Sequence, residues 1–315
     1  MKKTINQTHI EGYVYEHKLE LKVSGPNSKN PGTEFINGTL SVATDDGMTN
    51  VIPVHFTYVT AMTASKKPNA TYVVLKAIIE GKIGSVMEHG KENAGKVRID
   101  SAVDLNEWFD TRTEGSPLVS QKRNEGGFVH QVNELCKPEE RATFNTDILI
   151  TNTRRVEANE ERGLPEKVIV KGYVFNFRGD ILPVEYSVTE PAGALDYFEN
   201  IGASEKTPVF TRVQGKQVSQ TVVRTVEEEG SWGDTHIKEV KSSYRDFVIN
   251  WAYKDGYAWD DEETILASEL AEKMSKRELD LADAKKRQDE YQANKNNALA
   301  ATTATAAPKK DNYDF

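Results

Sequence analysis

The chain has 315 residues, more than the ~100–200 of a single domain, so two domains with additional segments are expected. Hydrophobic residues make up 37% and charged residues 28%, and mean hydropathy is -0.60. No run of ~18 apolar residues occurs and no apolar stretch follows Lys2 and Lys3, which argues against a membrane partner and predicts a cytosolic protein. Cys136 is the sole cysteine, so an intrachain disulfide and a cysteine-cage metal site are excluded and a buried, inert thiol is expected. The net charge of -9 speaks against a simple basic nucleic-acid binder. From Asp255 onward 14 acidic and 9 basic residues leave -5, and the first 254 residues carry -4, so any cationic groove must be local.

In chain order, His9 to Tyr15, Leu19 to Val23, Phe35 to Ala43 and Val51 to Val59 read as strands parted by the turn-formers Gly25 to Gly32 and Asp45-Asp46-Gly47. Thr71 to Glu80, ended by Gly81, reads as a helix or a buried strand, with helix preferred. Gly95 to Ala102 is a further strand, and Trp108-Phe109 closes a first β-rich domain over residues 1–112. Residues 113–130, with Gly115-Ser116-Pro117 and Gly126-Gly127, read as a linker. A second domain over 131–257 has strands at Thr143 to Thr153, Lys167 to Arg178, Ile181 to Thr189 and Pro208 to Val218, then either Gln220 to Val226 or Asp246 to Tyr253. A short helix is expected from Ala192 to Ile201. Ile265, Leu266, Leu270 and Met274 mark a helical segment over 258–291, and residues 292–315 read as a disordered tail with an acidic tip.

The two domains share a repeat. Asn37-Gly38-Thr39-Leu40-Ser41-Val42, an Asp-Gly turn and Val51-Ile52-Pro53-Val54 parallel Lys171-Gly172-Tyr173-Val174-Phe175-Asn176, Gly179-Asp180 and Ile181-Leu182-Pro183-Val184. A helix candidate and then a strand follow each, which reads as a duplicated unit. Strand, curved hairpin, helix and strand pair is the order of an OB barrel, so the expected fold is mainly β: two OB-type five-stranded β-barrels, a C-terminal helix and a disordered acidic tail.

With the ending Asp311-Asn312-Tyr313-Asp314-Phe315, the chain resembles the single-stranded DNA-binding proteins of bacterial and phage replication, whose disordered linker ends in an acidic tip closed by phenylalanine. Two acids stand where that pattern has three, and tyrosine where it has proline. The resemblance implies binding of single-stranded DNA, or of RNA, during replication, recombination or repair in a bacterial or phage-infected cell. It also implies capture of replication or repair proteins by Asp311, Tyr313, Asp314 and Phe315. The alternative is a viral tail or capsid protein built of small β-domains.

Strand parity supplies stacking candidates. In the strand from Lys167, the odd positions Lys171, Tyr173, Phe175 and Phe177 share a face opposite Val168, Val170 and Val174, with Arg178 beside them. Tyr13 and Tyr15, with Lys18 and Lys22, repeat the pattern more weakly in the first domain. Arg154, Arg155, Arg212 and Lys216 add cations, while Ile36, Leu40, Val42, Val54, Phe56 and Tyr58 read as core. Catalytic motifs fail: Gly90 to Val97 has phosphate-loop spacing but ends on Val97 where a hydroxyl is needed. None of His9, His17, His55, His89, His130 and His236 has ligand spacing, so no metal, no cofactor and no enzyme are expected.

Overall fold

A computed structural model describes residues 3–159, 165–229 and 235–305, with side chains described outside 220–243 and 296–305. The protein is mainly β. In chain order it has β1 (Asn6–Val23), β2 (Glu34–Ala43), β3 (Val51–Thr60), α1 (Ala70–Ile79), α2 (Val86–His89), β4 (Lys96–Phe109), β5 (Leu118–Gln131), β6 (Ala142–Val156), β7 (Lys167–Phe175), β8 (Ile181–Val188), α3 (Ala192–Glu199), β9 (Val209–Glu229), β10 (Thr235–Ala252) and α4 (Ala267–Thr305). Among the described residues no helix is long and apolar enough to cross a membrane.

The strands form one ten-stranded sheet in the order β2-β3-β5-β4-β1-β6-β7-β8-β10-β9, with β2 also paired to β1 and β6 to β9. Those two extra pairings close two circuits. In the first, β1 pairs antiparallel with β2 and β2 with β3; β3 runs parallel to β5, which returns through β4 to β1. In the second, β6, β7, β8, β10 and β9 repeat that cycle, again with one parallel step, Val248 against Ser187. The expected hairpin repeat falls on β2–β3 and β7–β8, the same place in each circuit. Gly38 and Gly172 mark it: a Cβ on Gly38 would lie 2.0 Å from the Lys18 carbonyl oxygen, and one on Gly172 2.3 Å from that of Leu149. Only glycine permits the backbones to approach so closely where the strands bend.

Each circuit encloses an apolar core sealed by the helix that follows its third strand. Val14, Ile36, Leu40, Val54 and Phe56 meet Tyr72, Leu75 and Ile78 of α1. Asn69 caps that helix by accepting from the Thr71 N–H at 3.1 Å. The second core joins Ile148, Val170, Val184 and Tyr186 to Leu195 and Phe198 of α3. Both cores lie in one compact unit, Met1–Asn106 with Gln121–Leu266.

Several sequence expectations are corrected. The linker at 113–130 is mostly β5, and Gly126-Gly127 lies inside it, because a Cβ on Gly127 would come 2.3 Å from the Asp100 carbonyl oxygen of β4. The glycine pair is a point of close strand approach, not chain punctuation. His9–Tyr15 and Leu19–Val23 are one strand with a register shift between Val14 and Glu16. Both alternatives for the last strand are realised, in the long β9–β10 hairpin. The helix starts at Ala267 and runs to Thr305, so over 292–305 the expected disorder gives way to helix, as its alanines favour, and 306–315 lie outside the described residues.

The second unit comprises Glu107–Ser120 and Ala267–Phe315. Within it, Arg277 pairs with Glu107, and Lys285 stands 6.0 Å from the Phe109 ring and 3.5 Å from the Gly115 carbonyl oxygen. The helix is thus fastened along the outer end of the β4–β5 hairpin.

Candidate nucleic-acid interface

The β2–β3 face of the first circuit forms one wall of a cleft of about 540 Å³. Thr39, Ser41, Pro53 and His55 come from that face, Lys18 from β1, Lys122, Arg123 and Asn124 from β5, and Gln217, Arg245 and Asp246 from the β9–β10 hairpin. Four lysine and arginine side chains therefore converge in a chain of net negative charge. Lys18 and Arg245 are exposed at the rim. Lys122 lies deeper: Nζ donates to the Glu185 carbonyl, stands 3.8 Å from Asp246, and sits 5.2 Å from the Phe247 ring and 5.4 Å from that of Tyr186. Burial lowers its pKa, and Asp246 and Glu185 oppose that shift. Arg123 is 2.9 Å from Glu125. Burial likewise lowers the His55 pKa, with Glu125 raising it and Arg123 adding to the depression.

The floor of the cleft holds an unfinished polar group. Asn124 is 4% exposed and its amide donates to Gln217 Oε1 at 2.8 Å, yet its own Oδ1 has no partner among the described residues. An incoming N–H donor would complete it.

Lys18, Glu20 and Lys22 alternate along β1 on one side, so the run from the cleft to Lys22 covers about 13 Å. Lys22 pairs in register with Phe35, whose ring lies 4.5 Å from that of Tyr58. Tyr58 was expected in the core but is 47% exposed, since β3 leaves the apolar interior at its end.

The structure scatters the other expected site residues. Phe175 is 1% exposed and packs edge-on against Phe210 at 6.4 Å, so it is core and not a stacking ring. Parity fails there because Val174 and Phe175, at the end of β7, are both enclosed. Arg212 is bound to the wholly buried Asp147, and Arg155 is held by Glu166 at 2.8 Å, Asp196 at 3.1 Å and Glu199 at 2.7 Å. Both are structural cations with their anions already supplied. Lys171 pairs with Glu185 at 2.6 Å and Lys22 with Glu20 at 2.9 Å. Tyr13 is half buried with the Lys91 and Lys96 ammoniums 5.4 and 5.9 Å from its ring. Tyr15 and Tyr173 are half buried, and Arg154, Arg178 and Lys216 are exposed.

Phe177 is fully exposed in the β7–β8 turn and, with Phe128, Lys3 and Asn145, lines a second hollow of about 790 Å³. Asp311, Tyr313, Asp314 and Phe315 lie outside the described residues. Of the expected residues the main cleft gathers Lys18 alone. Lys122 and Asn124 were missed because their segment was read as a linker; as strand, its period of two puts both on one face. Cys136 is half buried, and burial with Glu11 beside it pushes its thiol up to about 11.

Two linked closed circuits of five strands, each with a helix after its third strand, define the class of this mainly β chain. The chain belongs to the YorF family, whose profile matches residues 4–288. No curated protein matches it. Among solved structures it is similar to a deletion mutant of the single-stranded DNA binding protein from Thermus aquaticus, at 8% identity and a TM-score of 0.45 over 80% of this chain and 95% of that one.

Proposed function

We propose that each circuit is an OB-type barrel and that the chain binds single-stranded DNA along the cleft of the first. The observation that carries this reading is the position of the cleft. In an OB barrel the face of the second and third strands takes oligonucleotides, and the cations Lys18, Lys122, Arg123 and Arg245 gather against β2 and β3. Phosphates would run along Lys18 and Arg245, a base N–H group would donate to Asn124 Oδ1, and bases would stack at Phe35 and Tyr58. Coating of single strands during replication, recombination or repair belongs to the same proposal. So does recruitment of partner proteins by Asp311, Tyr313, Asp314 and Phe315, which rests on their acidic and aromatic character.

Fluorescence anisotropy with a labelled dT oligonucleotide at a series of salt concentrations tests the reading. The expected result is saturable binding whose log K falls with log salt at a slope of roughly -1 to -3, as two to four neutralised phosphates on a single strand give. No binding at the lowest salt would end it.

A further inference from the structure

Away from the cleft, three groups of different chemistry meet where the connector between the circuits crosses β1. His9 and Glu11, two apart on that strand, share a face, and Cys136 reaches them from the segment joining β5 to β6. One ligand atom from each lies within 4.8 Å of the other two. The contacts are specific. The Cys136 N–H donates to Glu11 Oε1 at 2.5 Å, and Glu11 Oε2 stands 3.6 Å from His9 Nε2. The other imidazole nitrogen, Nδ1, is bound to Asp100 Oδ1 at 2.8 Å. Asp100 accepts at Nδ1, so Nε2 is the nitrogen turned toward Glu11, the arrangement by which a second carboxylate orients a metal-binding histidine.

Glu11 is buried, 5% exposed, with no permanently charged cation bound to its carboxylate among the described residues. Arg141, the nearby guanidinium, is engaged by the Cys136 carbonyl at 2.7 Å and by Asp46 at 3.1 Å. A buried carboxylate without a cation is costly, and a divalent ion at the centre of the trio would remove that cost.

We propose that His9, Glu11 and Cys136 form a zinc site, with water as fourth ligand, that fastens the connector to β1. Zinc takes sulfur, nitrogen and oxygen together in a tetrahedron, with bond lengths that set ligand atoms roughly 3.3–3.6 Å apart. The Glu11–His9 pair already has that spacing, and the three ligand atoms, all within 4.8 Å of one another, close to the tetrahedral separation by moving in about an ångström. On binding, the Sγ–H bond breaks, its proton leaves to solvent and its electron pair becomes the sulfur–zinc bond, with no change of oxidation state. His9, with a side chain 31% exposed, gives the ion its way in. The site is independent of the DNA-binding reading.

Cobalt is the probe, because a thiolate bound to it gives a near-ultraviolet charge-transfer band and tetrahedral cobalt gives strong visible absorption. The full chain, stripped with chelator, is expected to take up one equivalent of Co²⁺ with both signals and to lose them to Zn²⁺. Cys136→Ser abolishes the charge-transfer band, and since Cys136 is the only cysteine, no other residue can produce it. Asp100→Asn and His9→Gln each weaken Zn²⁺ binding by roughly tenfold or more. In the unaltered chain, Zn²⁺ slows alkylation of Cys136 at least as strongly, a readout that needs no variant to fold. The proposal is overturned by a wild-type chain without the band, by zinc affinity unchanged in His9→Gln, or by alkylation at the same rate with and without Zn²⁺.

Discussion

Arg212 holds Asp147 through both carboxylate oxygens, with Nε 2.7 Å from Oδ1 and Nη2 3.3 Å from Oδ2. Asp147 is 0% exposed and also accepts from the Ile5 N–H at 2.8 Å and the Tyr257 hydroxyl at 3.3 Å. The pair sits on adjacent strands, Asp147 of β6 opposite Arg212 of β9. Arg212→Met leaves a buried carboxylate without its cation and should cost about 3 kcal/mol in urea unfolding, discounted from the 3–5 of a fully buried pair because Arg212 is partly exposed. Affinity for single strands should be unchanged in the folded fraction, in contrast to a phosphate-binding arginine.

Two phenylalanines separated by one residue should behave oppositely. Phe175→Ala removes a core ring and is expected to lower stability by about 3–4 kcal/mol, whereas Phe177→Ala, at a fully exposed ring, should stay within about 0.5 kcal/mol of the parent. Equal thermal midpoints for the two variants would contradict the packing described for β7.

Gly38→Ala and Gly172→Ala test the duplication. Each Cβ would be forced to about 2 Å from a carbonyl oxygen of the strand before it, and each should destabilise by about 1–3 kcal/mol. A neutral effect at either position would mean that the two hairpins do not bend in the same way.

For the cleft, the double variant Lys18→Ala, Arg245→Ala should weaken binding across all oligonucleotide sequences and flatten the salt slope by about 1 to 2. Tyr58→Ala should cost about 1–3 kcal/mol of affinity with the salt slope preserved, since stacking neutralises no phosphate. If Arg155→Ala weakens binding as much as the cationic pair, the interface lies elsewhere.

His55 has a pKa depressed in the folded state from an ordinary value of 6.5. Between the depressed value and 6.5 the unfolded chain binds more protons, so stability rises with pH through that window and falls as pH is lowered across it. Urea midpoints measured from just above 6.5 downward should show this loss, and His55→Gln should remove that part of the slope. A slope of equal size in the variant would assign the effect to another group.

Where a property depends on near neighbours, the sequence by itself determined it. The strands at Phe35 to Ala43 and Ile181 to Thr189, the short helix from Ala192 and the Gly38/Gly172 repeat follow from side-chain period and turn chemistry acting over a few residues, while Thr71 to Glu80, open between helix and buried strand by its pattern, is settled as helix by the structure. Tertiary structure decided the rest. Gly126-Gly127 has the composition of a linker, and only the nearness of the Asp100 carbonyl makes it strand. Arg155 and Arg212 look like free cations until distant carboxylates fold against them. Phe175 obeys outward parity until Phe210 encloses it. Lys18, Asn124 and Arg245, like His9 and Cys136, lie far apart along the chain, and no local pattern encodes their meeting. Long-range packing brings them together: the β3–β5 pairing sets Asn124 beside β3, the β9–β10 hairpin carries Arg245 to the same cleft, and the segment before β6 folds back onto β1 at Glu11.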